Sequence, residues 1–288
     1  MHLGVIFPQT EIGPDPGTVQ RFVRTADEVG FEYLVAYDHV LGADTASRPG
    51  WQGPYTFHSQ FHEPFVLFGY IAAVTDLELV TGVLILPQRQ AVLVAKQAAE
   101  VDVLTGGRLR LGVGIGWNDI EYQALGVDFA SRAALYEEQV ELMRRLWTEE
   151  TVTFEGSFHH VDRAGILPRP VQQPIPVWMG GGTRRPVLER IGRQSDGWIC
   201  NTPPGRGLEE ALPVVRAAAA QAGRSPDAVG LQGIVTAGDP LDVERLQRQA
   251  GRWEAAGATH LSVSTMGAGR SPEAHADCLA EAIKALRG

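Results

Sequence analysis

The chain has 288 residues, of which 44% are hydrophobic and 20% charged, and its formal net charge at pH 7 is -9. This composition is typical of a globular protein, and the negative charge argues against a surface that binds nucleic acid or an anionic membrane. No apolar run reaches the roughly 18 residues that a membrane span needs. We therefore expect no nucleic-acid or membrane partner.

The cysteines and the N-terminal sequence point to a cytoplasmic protein. Cys200 and Cys278 are far apart and form no CxxC motif, which predicts reduced thiols and no disulfide or metal framework. The first residues read as a strand, with no basic region ahead of a long apolar run, so we expect no signal peptide.

Strand-like and helix-like segments alternate along the chain. We predict strands at 3–7, 33–37, 79–86, 110–115, 175–179, 197–200, 230–235 and 260–264, and helices at 19–29, 64–75, 91–104, 131–147 (capped by Ser131), 184–193, 208–222, 242–256 and 272–286. This alternation predicts an α/β fold, a (β/α)8 TIM barrel in a single domain over residues 1–288. A doubly wound open sheet is the rival, but the regular eighth unit and the lack of GxGxxG after the first strand count against it.

The alternation breaks once, at residues 151–174. The segment 151–159 predicts a small hairpin inserted into the barrel, and a proline-rich return follows it.

The predicted βαβ unit at 79–117 contains unusually placed glycines. Gly82 lies inside a buried strand, and three alternate glycines over 112–116 precede Trp117. Alternate glycines leave a groove without side chains, wide enough for a flat ring. Close packing of strands and helices is the simpler interpretation, and the glycines alone favour it.

A barrel places its site at the C-terminal ends of its strands, and the sequence supplies polar residues there. Asp38 and His39 end the second strand. His39 is suited to donate a hydrogen bond to a flavin-like ring or to transfer a proton, with Asp38 fixing its orientation. Alternatively, Asp38 caps the following turn and His39 only packs.

A glycine-rich turn, Gly180, Gly181, Gly182 and Thr183, leads directly into the helix predicted at 184–193, which begins with two arginines. Backbone N–H groups, the hydroxyl group, the guanidinium groups of Arg184 and Arg185, and the helix dipole together predict a phosphate cradle. The alternative is a flexible turn with solvated arginines.

The long segment 42–63 is rich in aromatic residues. His58 and His62 have the spacing of helical metal ligands, but Gly53 and Pro54 argue against a helix, and no third ligand completes a zinc site. We expect an aromatic lid over the site and no metal. No GxSxG, P-loop or HExxH motif occurs.

With these residues in place, the chain resembles the luciferase-like oxidoreductase family, barrels that use FMN or the deazaflavin coenzyme F420. The resemblance covers residues 1–201, through AYDHV, TGVLILPQRQAVLVAKQAAEVDVLTGGRLRLGVGIGW, ALGVDFASRAALYEEQVELMRRLW and PIPVWMGGGT to DGWICN. The Asp38-His39 pair is similar to the deazaflavin branch, where these residues face the cofactor ring. The resemblance also implies a homodimer.

The resemblance implies roles for individual residues. It implies a non-proline cis peptide bond at Gly82-Val83 behind the ring, and the phosphate on Gly180 to Thr183. An aromatic substrate pocket would be shaped by Trp51, Tyr55, Phe57, His58 and Trp117.

The chain departs from the family pattern at one position, that of an acidic residue. Sugar-phosphate dehydrogenases of this branch have a glutamate after the glycines of the fourth strand, where this chain has Trp117. A sugar-phosphate substrate is therefore disfavoured, and Glu11, Glu63 and Glu121 are candidates for the missing carboxylate.

The prediction is an F420-dependent oxidoreductase that moves a hydride between the cofactor and a small organic substrate, with His39 as its catalytic residue. Two alternatives stay open. One is an FMN-dependent monooxygenase that uses oxygen and a partner reductase, and the other is a barrel that binds a flavin-like ring without catalysis.

Overall fold

The computed structural model describes residues 1–288 and contains eleven strands and nine α-helices. The strands are β1 (His2–Ile6), β2 (Tyr33–Ala36), β3 (Glu78–Thr81), β4 (Leu84–Ile85), β5 (Leu109–Gly114), β6 (Val152–Glu155), β7 (His160–Ala164), β8 (Val177–Gly181), β9 (Gly197–Cys200), β10 (Gly230–Thr236) and β11 (His260–Ser264). The helices are α1 (Pro16–Glu28), α2 (Pro64–Ile71), α3 (Ala91–Thr105), α4 (Asp119–Ala124), α5 (Arg132–Thr148), α6 (Arg185–Gln194), α7 (Arg206–Gln221), α8 (Val243–Ala255) and α9 (Pro272–Arg287).

The main sheet closes into a parallel barrel. Its strand order is β3-β2-β1-β11-β10-β9-β8-β5-β4, and an additional pairing of β3 with β5 joins the two ends. Because β4 continues β3 after a short break, the ring has eight strand positions. The predicted TIM barrel is confirmed. Helices cover its outer face, which explains why β2 and β5 are buried along their whole length.

The third strand position is interrupted between β3 and β4. The peptide bond between Gly82 and Val83 is cis, as the resemblance implied. The interruption directs Val83 toward the C-terminal end of the barrel, where its side chain is partly exposed.

The neighbouring glycines make room for this interruption. A Cβ atom on Gly112 would lie 1.9 Å from the carbonyl oxygen of Thr81. Cβ atoms on Gly114 and Gly180 would lie 2.6 and 2.7 Å from the methyl groups of Val83. The interpretation as an open groove is therefore wrong at these positions, since Thr81 and Val83 occupy the space, and the close-packing interpretation that the glycines alone favoured is confirmed.

The inserted hairpin is present as β6 and β7, which pair antiparallel. Its second strand lies at 160–164, beyond the predicted hairpin at 151–159. Glu138 of α5 holds the turn, because its carboxylate accepts hydrogen bonds from the N–H groups of Ser157, Phe158 and His159.

The segment before α5 differs from the prediction in two ways. The short helix α4 was not predicted, and Ser131 does not cap α5 through its side chain. Its hydroxyl group instead donates to the carbonyl oxygen of Asp128, whose carboxylate accepts from the N–H groups of Ala130 and Ser131. Asp128 therefore fixes the entry into α5.

None of the helices is long and apolar enough to cross a membrane. Cys200 and Cys278 are both buried and free, as predicted.

Candidate functional site

A cavity of about 730 Å³ lies at the C-terminal ends of the barrel strands. This volume is within the usual range of small-molecule and cofactor sites, roughly 300–1,000 Å³. Its lining includes nine of the residues singled out from the sequence, namely Asp38, His39, Tyr55, Gly82, Val83, Trp117, Gly180, Gly181 and Gly182.

Four other predicted site residues do not line this cavity. Trp51 packs against Trp117, with ring centroids 5.6 Å apart. Phe57 faces a smaller neighbouring cavity of about 290 Å³, which His39 also lines. His58 is exposed and stacks on Phe57, and Thr183 is exposed beside the glycines. The segment containing His58 is not helical, as expected.

His39 lies where the two cavities meet, surrounded by aromatic rings. Its ring centroid is 4.7 Å from those of Tyr55 and Phe61 and 6.0 Å from that of Trp117. The side chain is 13% exposed. The lid predicted for segment 42–63 therefore supplies two of the three rings that enclose this histidine.

Glu121 of α4 holds the imidazole in place. Its Oε1 lies 3.2 Å from Nδ1 of His39 and accepts from the N–H of Val40 at 2.9 Å, while Gln88 donates to Oε2. Burial opposes the charge, but the hydrogen bonds from His39 and Gln88 outweigh it and hold the pKa of Glu121 below its usual range. With Nδ1 engaged, Nε2 is the ring nitrogen without a protein partner.

Asp38 does not orient His39, contrary to the prediction. Its carboxylate accepts from Arg89 at 2.8 Å and from the N–H of Ile85 at 3.0 Å. Burial raises the pKa of Asp38, although Arg89 opposes this shift. The ion pair ties the end of β2 to the segment after β4, and Asp38 contributes to the cavity as part of its wall.

Of the three candidate carboxylates, Glu121 alone lines the cavity. Glu11 lies 3.1 Å from His275 and accepts from the N–H of Gly267. Glu63 caps α2 and pairs with Arg89. Sequence reasoning left this choice open because α4, which carries Glu121, is short and follows three glycines.

The glycine turn is partly strand. Gly180 and Gly181 belong to β8, and the indole of Trp198 donates to the carbonyl oxygen of Gly181 at 2.8 Å. The backbone N–H groups of Gly182 and Thr183, which lie between β8 and α6, donate to no protein acceptor. They are therefore available to an anion at this end of the cavity.

Positive charge at this end comes from a different set of arginines than predicted. Arg184 lines the cavity, but Arg185 is exposed and pairs with Glu189 at 2.8 Å. Arg132 and Arg190 also line the cavity, and Arg190 pairs with Glu137. Arg132 and Arg184 form no ion pair, so this end fits a ligand with a phosphate group.

Fold and site together define a TIM barrel whose cavity has a histidine and aromatic rings at one end and free N–H groups and arginines at the other. The luciferase-like monooxygenase family model matches residues 1–285. The chain belongs to this family.

Similar proteins include both dehydrogenases and monooxygenases. An uncharacterised protein of Mycobacterium tuberculosis is 31% identical over 91% of this chain and 90% of its own length. An F420-dependent glucose-6-phosphate dehydrogenase of Intrasporangium calvum is 34% identical over 70% of this chain and 59% of its own length. An FMNH2-dependent dimethylsulfone monooxygenase of Pseudomonas putida is 27% identical over 78% of this chain and 60% of its own length.

Solved structures share the whole fold. An F420-dependent secondary alcohol dehydrogenase in complex with an F420-acetone adduct has a TM-score of 0.80 at 19% identity, covering 100% of this chain and 99% of the other. The monooxygenase RslO1 of Streptomyces bottropensis has a TM-score of 0.77 at 21% identity, with the same coverage. At these identities the likeness establishes the fold alone.

Proposed function

We propose that this protein is a coenzyme F420-dependent oxidoreductase that moves a hydride between the deazaflavin ring and a small organic substrate. The observation that carries the proposal is the division of the cavity into two unlike ends. The His39–Glu121 pair lies among aromatic rings at one end, and free N–H groups and arginines lie at the other. A flat ring with a phosphate-bearing tail has the same division.

In this proposal, the residues that hold the coenzyme divide into two groups. Those that hold its phosphate are Gly180, Gly181, Gly182 and Thr183, and those that lie against its ring are Asp38, His39, Gly82 and Val83. When bound, the coenzyme supplies hydride transfer at its ring carbon. Val83 is expected to cover one face of the ring, so that the substrate approaches from the other face and transfer is stereospecific.

In this proposal, His39 is the general base and general acid of the reaction. Because Glu121 engages Nδ1, Nε2 is the nitrogen that exchanges a proton with the substrate oxygen. With an alcohol as substrate, Nε2 would accept the hydroxyl proton and ionised Glu121 would stabilise the imidazolium, while the alcohol carbon would give up its hydride to the bound coenzyme. In the reverse direction, the imidazolium returns the proton to the carbonyl oxygen.

Tyr55 and Trp117 are proposed to contact the substrate. Both line the main cavity beside His39, and Trp51 supports Trp117 from behind. Trp117 stands where the sugar-phosphate dehydrogenases of this branch have a glutamate, so a sugar-phosphate substrate is disfavoured.

The test is turnover of F420 with a panel of small alcohols. Turnover is monitored as the loss of the visible absorbance of the oxidised deazaflavin. We expect His39→Asn to lower kcat by at least about a hundredfold while coenzyme binding persists. His58→Asn is the matched control, because His58 is exposed and lines neither cavity. Equal turnover by the wild type and the His39 variant would refute the role of His39.

An FMN-dependent monooxygenase working with a partner reductase is the second candidate, favoured by the similarity to the dimethylsulfone monooxygenase. Oxygen consumption with supplied reduced FMN, absent with reduced F420, would establish it. Tight binding of either cofactor without any turnover would instead indicate a non-catalytic barrel.

A further inference from the structure

Tyr136 is a buried phenol in the cavity wall whose hydroxyl group has no partner. The residue lies in the second turn of α5, lines the main cavity and is 1% exposed. Its hydroxyl oxygen is buried and forms no hydrogen bond. Buried polar groups are normally satisfied, so this hydroxyl requires an explanation.

The hydroxyl group is a donor under all ordinary conditions. Burial raises the pKa of Tyr136 far above its usual range, against the opposing charges of Arg190 and Arg144. The phenol therefore keeps its hydrogen and lacks an acceptor.

Arg132 lies one turn earlier on the same helix and lines the same cavity. Its guanidinium lies over the ring of Phe129 at 3.6 Å and donates to the Phe129 carbonyl oxygen, but its Nε is buried without a partner. Helix residues four apart share a face, and the side chains of Arg132 and Tyr136 line the same cavity.

No acidic side chain of the cavity is free to satisfy these donors. Asp38 is paired with Arg89, and Glu121 is bound to His39. Glu137, the nearest acidic residue in sequence, is paired with Arg190 and Arg193. The missing acceptor is therefore not supplied by the protein.

We propose that Arg132 and Tyr136 form the second half of the anion site and bind an oxygen of the phosphate ester whose other side meets the glycine turn. This inference rests on the proposed function and deepens it, because it assigns a protein group to the acidic tail of the cofactor. The ligand class is a phosphorylated ring cofactor, either a phosphomonoester such as FMN or a phosphodiester such as F420.

The test measures the binding of four ligands to the wild type and to Tyr136→Phe. Binding is followed by quenching of tryptophan fluorescence. The ligands are F420, its phosphate-free ring–ribityl fragment, FMN and riboflavin. The wild type is expected to bind one phosphorylated ligand, F420 or FMN. Tyr136→Phe should weaken binding of that ligand by about tenfold and leave the affinity for its phosphate-free counterpart unchanged. The melting temperature should not fall, because the hydroxyl group has no protein partner.

Arg132→Gln should also weaken binding of the phosphorylated ligand only, by about tenfold or more. Arg185→Gln is the matched control, because Arg185 pairs with Glu189 and lies outside the cavity. It should change the affinity of neither form.

Two results would overturn the inference: equal losses for the phosphorylated and phosphate-free forms, or no loss for either form. Absence of binding by all four ligands to the wild type would refute the proposed function separately. The anion site is then tested with inorganic phosphate, which should raise the melting temperature of the wild type more than that of Tyr136→Phe. Equal increases would overturn the inference.

Discussion

Oε1 of Glu121 lies 3.2 Å from Nδ1 of His39, and this contact joins the segment after β2 to helix α4, 82 residues apart in the sequence. The carboxylate is 1% exposed and the imidazole 13% exposed, so water does little to weaken their interaction. The contact selects which imidazole nitrogen is left for the cavity, and it provides a negative charge to stabilise an imidazolium. Glu121 thus acts through His39 as a positioning residue.

Glu121→Gln should lower kcat by about tenfold or more with a smaller change in KM, because the variant still fills the space but no longer carries the charge. Steady-state kinetics checks the split between kcat and KM. Glu11→Gln is the control, as Glu11 pairs with His275 outside the cavity. An unchanged kcat, or a KM that changes as much as kcat, would count against the positioning role.

Asp38→Asn should lower the free energy of unfolding by about 1–3 kcal/mol, because Arg89 loses its buried carboxylate partner and keeps only the ion pair with Glu63. Glu149→Gln removes a carboxylate from an exposed pair with Arg145 and should cost only about 0–1 kcal/mol. Denaturant unfolding of the two variants distinguishes a structural Asp38 from one that serves only the ligand. Equal small costs would mean that the Asp38–Arg89 pair contributes little.

The barrel was predictable because its signal is repeated. Strand-like and helix-like segments alternate eight times along the chain, so errors of a few residues at element ends left the order unchanged. The helix α4 was missed because six residues, Asp119–Ala124, give too short a pattern.

The glycines show where sequence alone misleads. The alternation of glycines in β5 was visible in the sequence. The atoms that fill the space beside these glycines come from Val83 and Thr81, at the adjacent strand position. Sequence periodicity describes one strand and carries no information about a break in its neighbour.

Gly114→Ala should lower the free energy of unfolding by about 1–3 kcal/mol, because its Cβ would lie 2.6 Å from a Val83 methyl group. Gly251→Ala is the matched control. Gly251 lies inside α8 with no atom within 4 Å of the added Cβ, so alanine should stabilise by about 0.5–1 kcal/mol. Thermal or denaturant unfolding measures both. A neutral Gly114→Ala would show that the Val83 contact is easily relaxed.

Only some residues of the site could be predicted, because the sequence pattern describes single elements and not how they pack together. His39 and the glycines follow strands directly and were visible as strand ends. Glu121, Arg132 and Tyr136 lie on helices beyond the strands, and only the tertiary packing of α4 and α5 brings them to the cavity.

His260 at the start of β11 should make the protein sensitive to acid. Burial lowers its pKa to about 3, and the charges of Arg110 and His2 add to this shift. In the unfolded chain its pKa is about 6.5, so the unfolded state binds the proton more tightly. The free energy of unfolding should therefore decrease as the pH falls from about 6.5 toward about 3.

His260→Gln should lose this part of the acid sensitivity. The decrease in unfolding free energy between about pH 7 and about pH 4 should be smaller in the variant than in the wild type, as measured by denaturant titration at both values. The same decrease in both proteins would assign the acid sensitivity to other groups.

The choice of cofactor is tested most directly by titrating the wild-type protein with F420 and, separately, with FMN while recording tryptophan fluorescence. Trp117 lines the cavity and Trp198 contacts the glycine turn, so a ligand that spans both ends should quench the signal. We predict saturable quenching by F420 at concentrations where FMN gives little change. Saturable quenching by FMN with no response to F420 would contradict the proposed function.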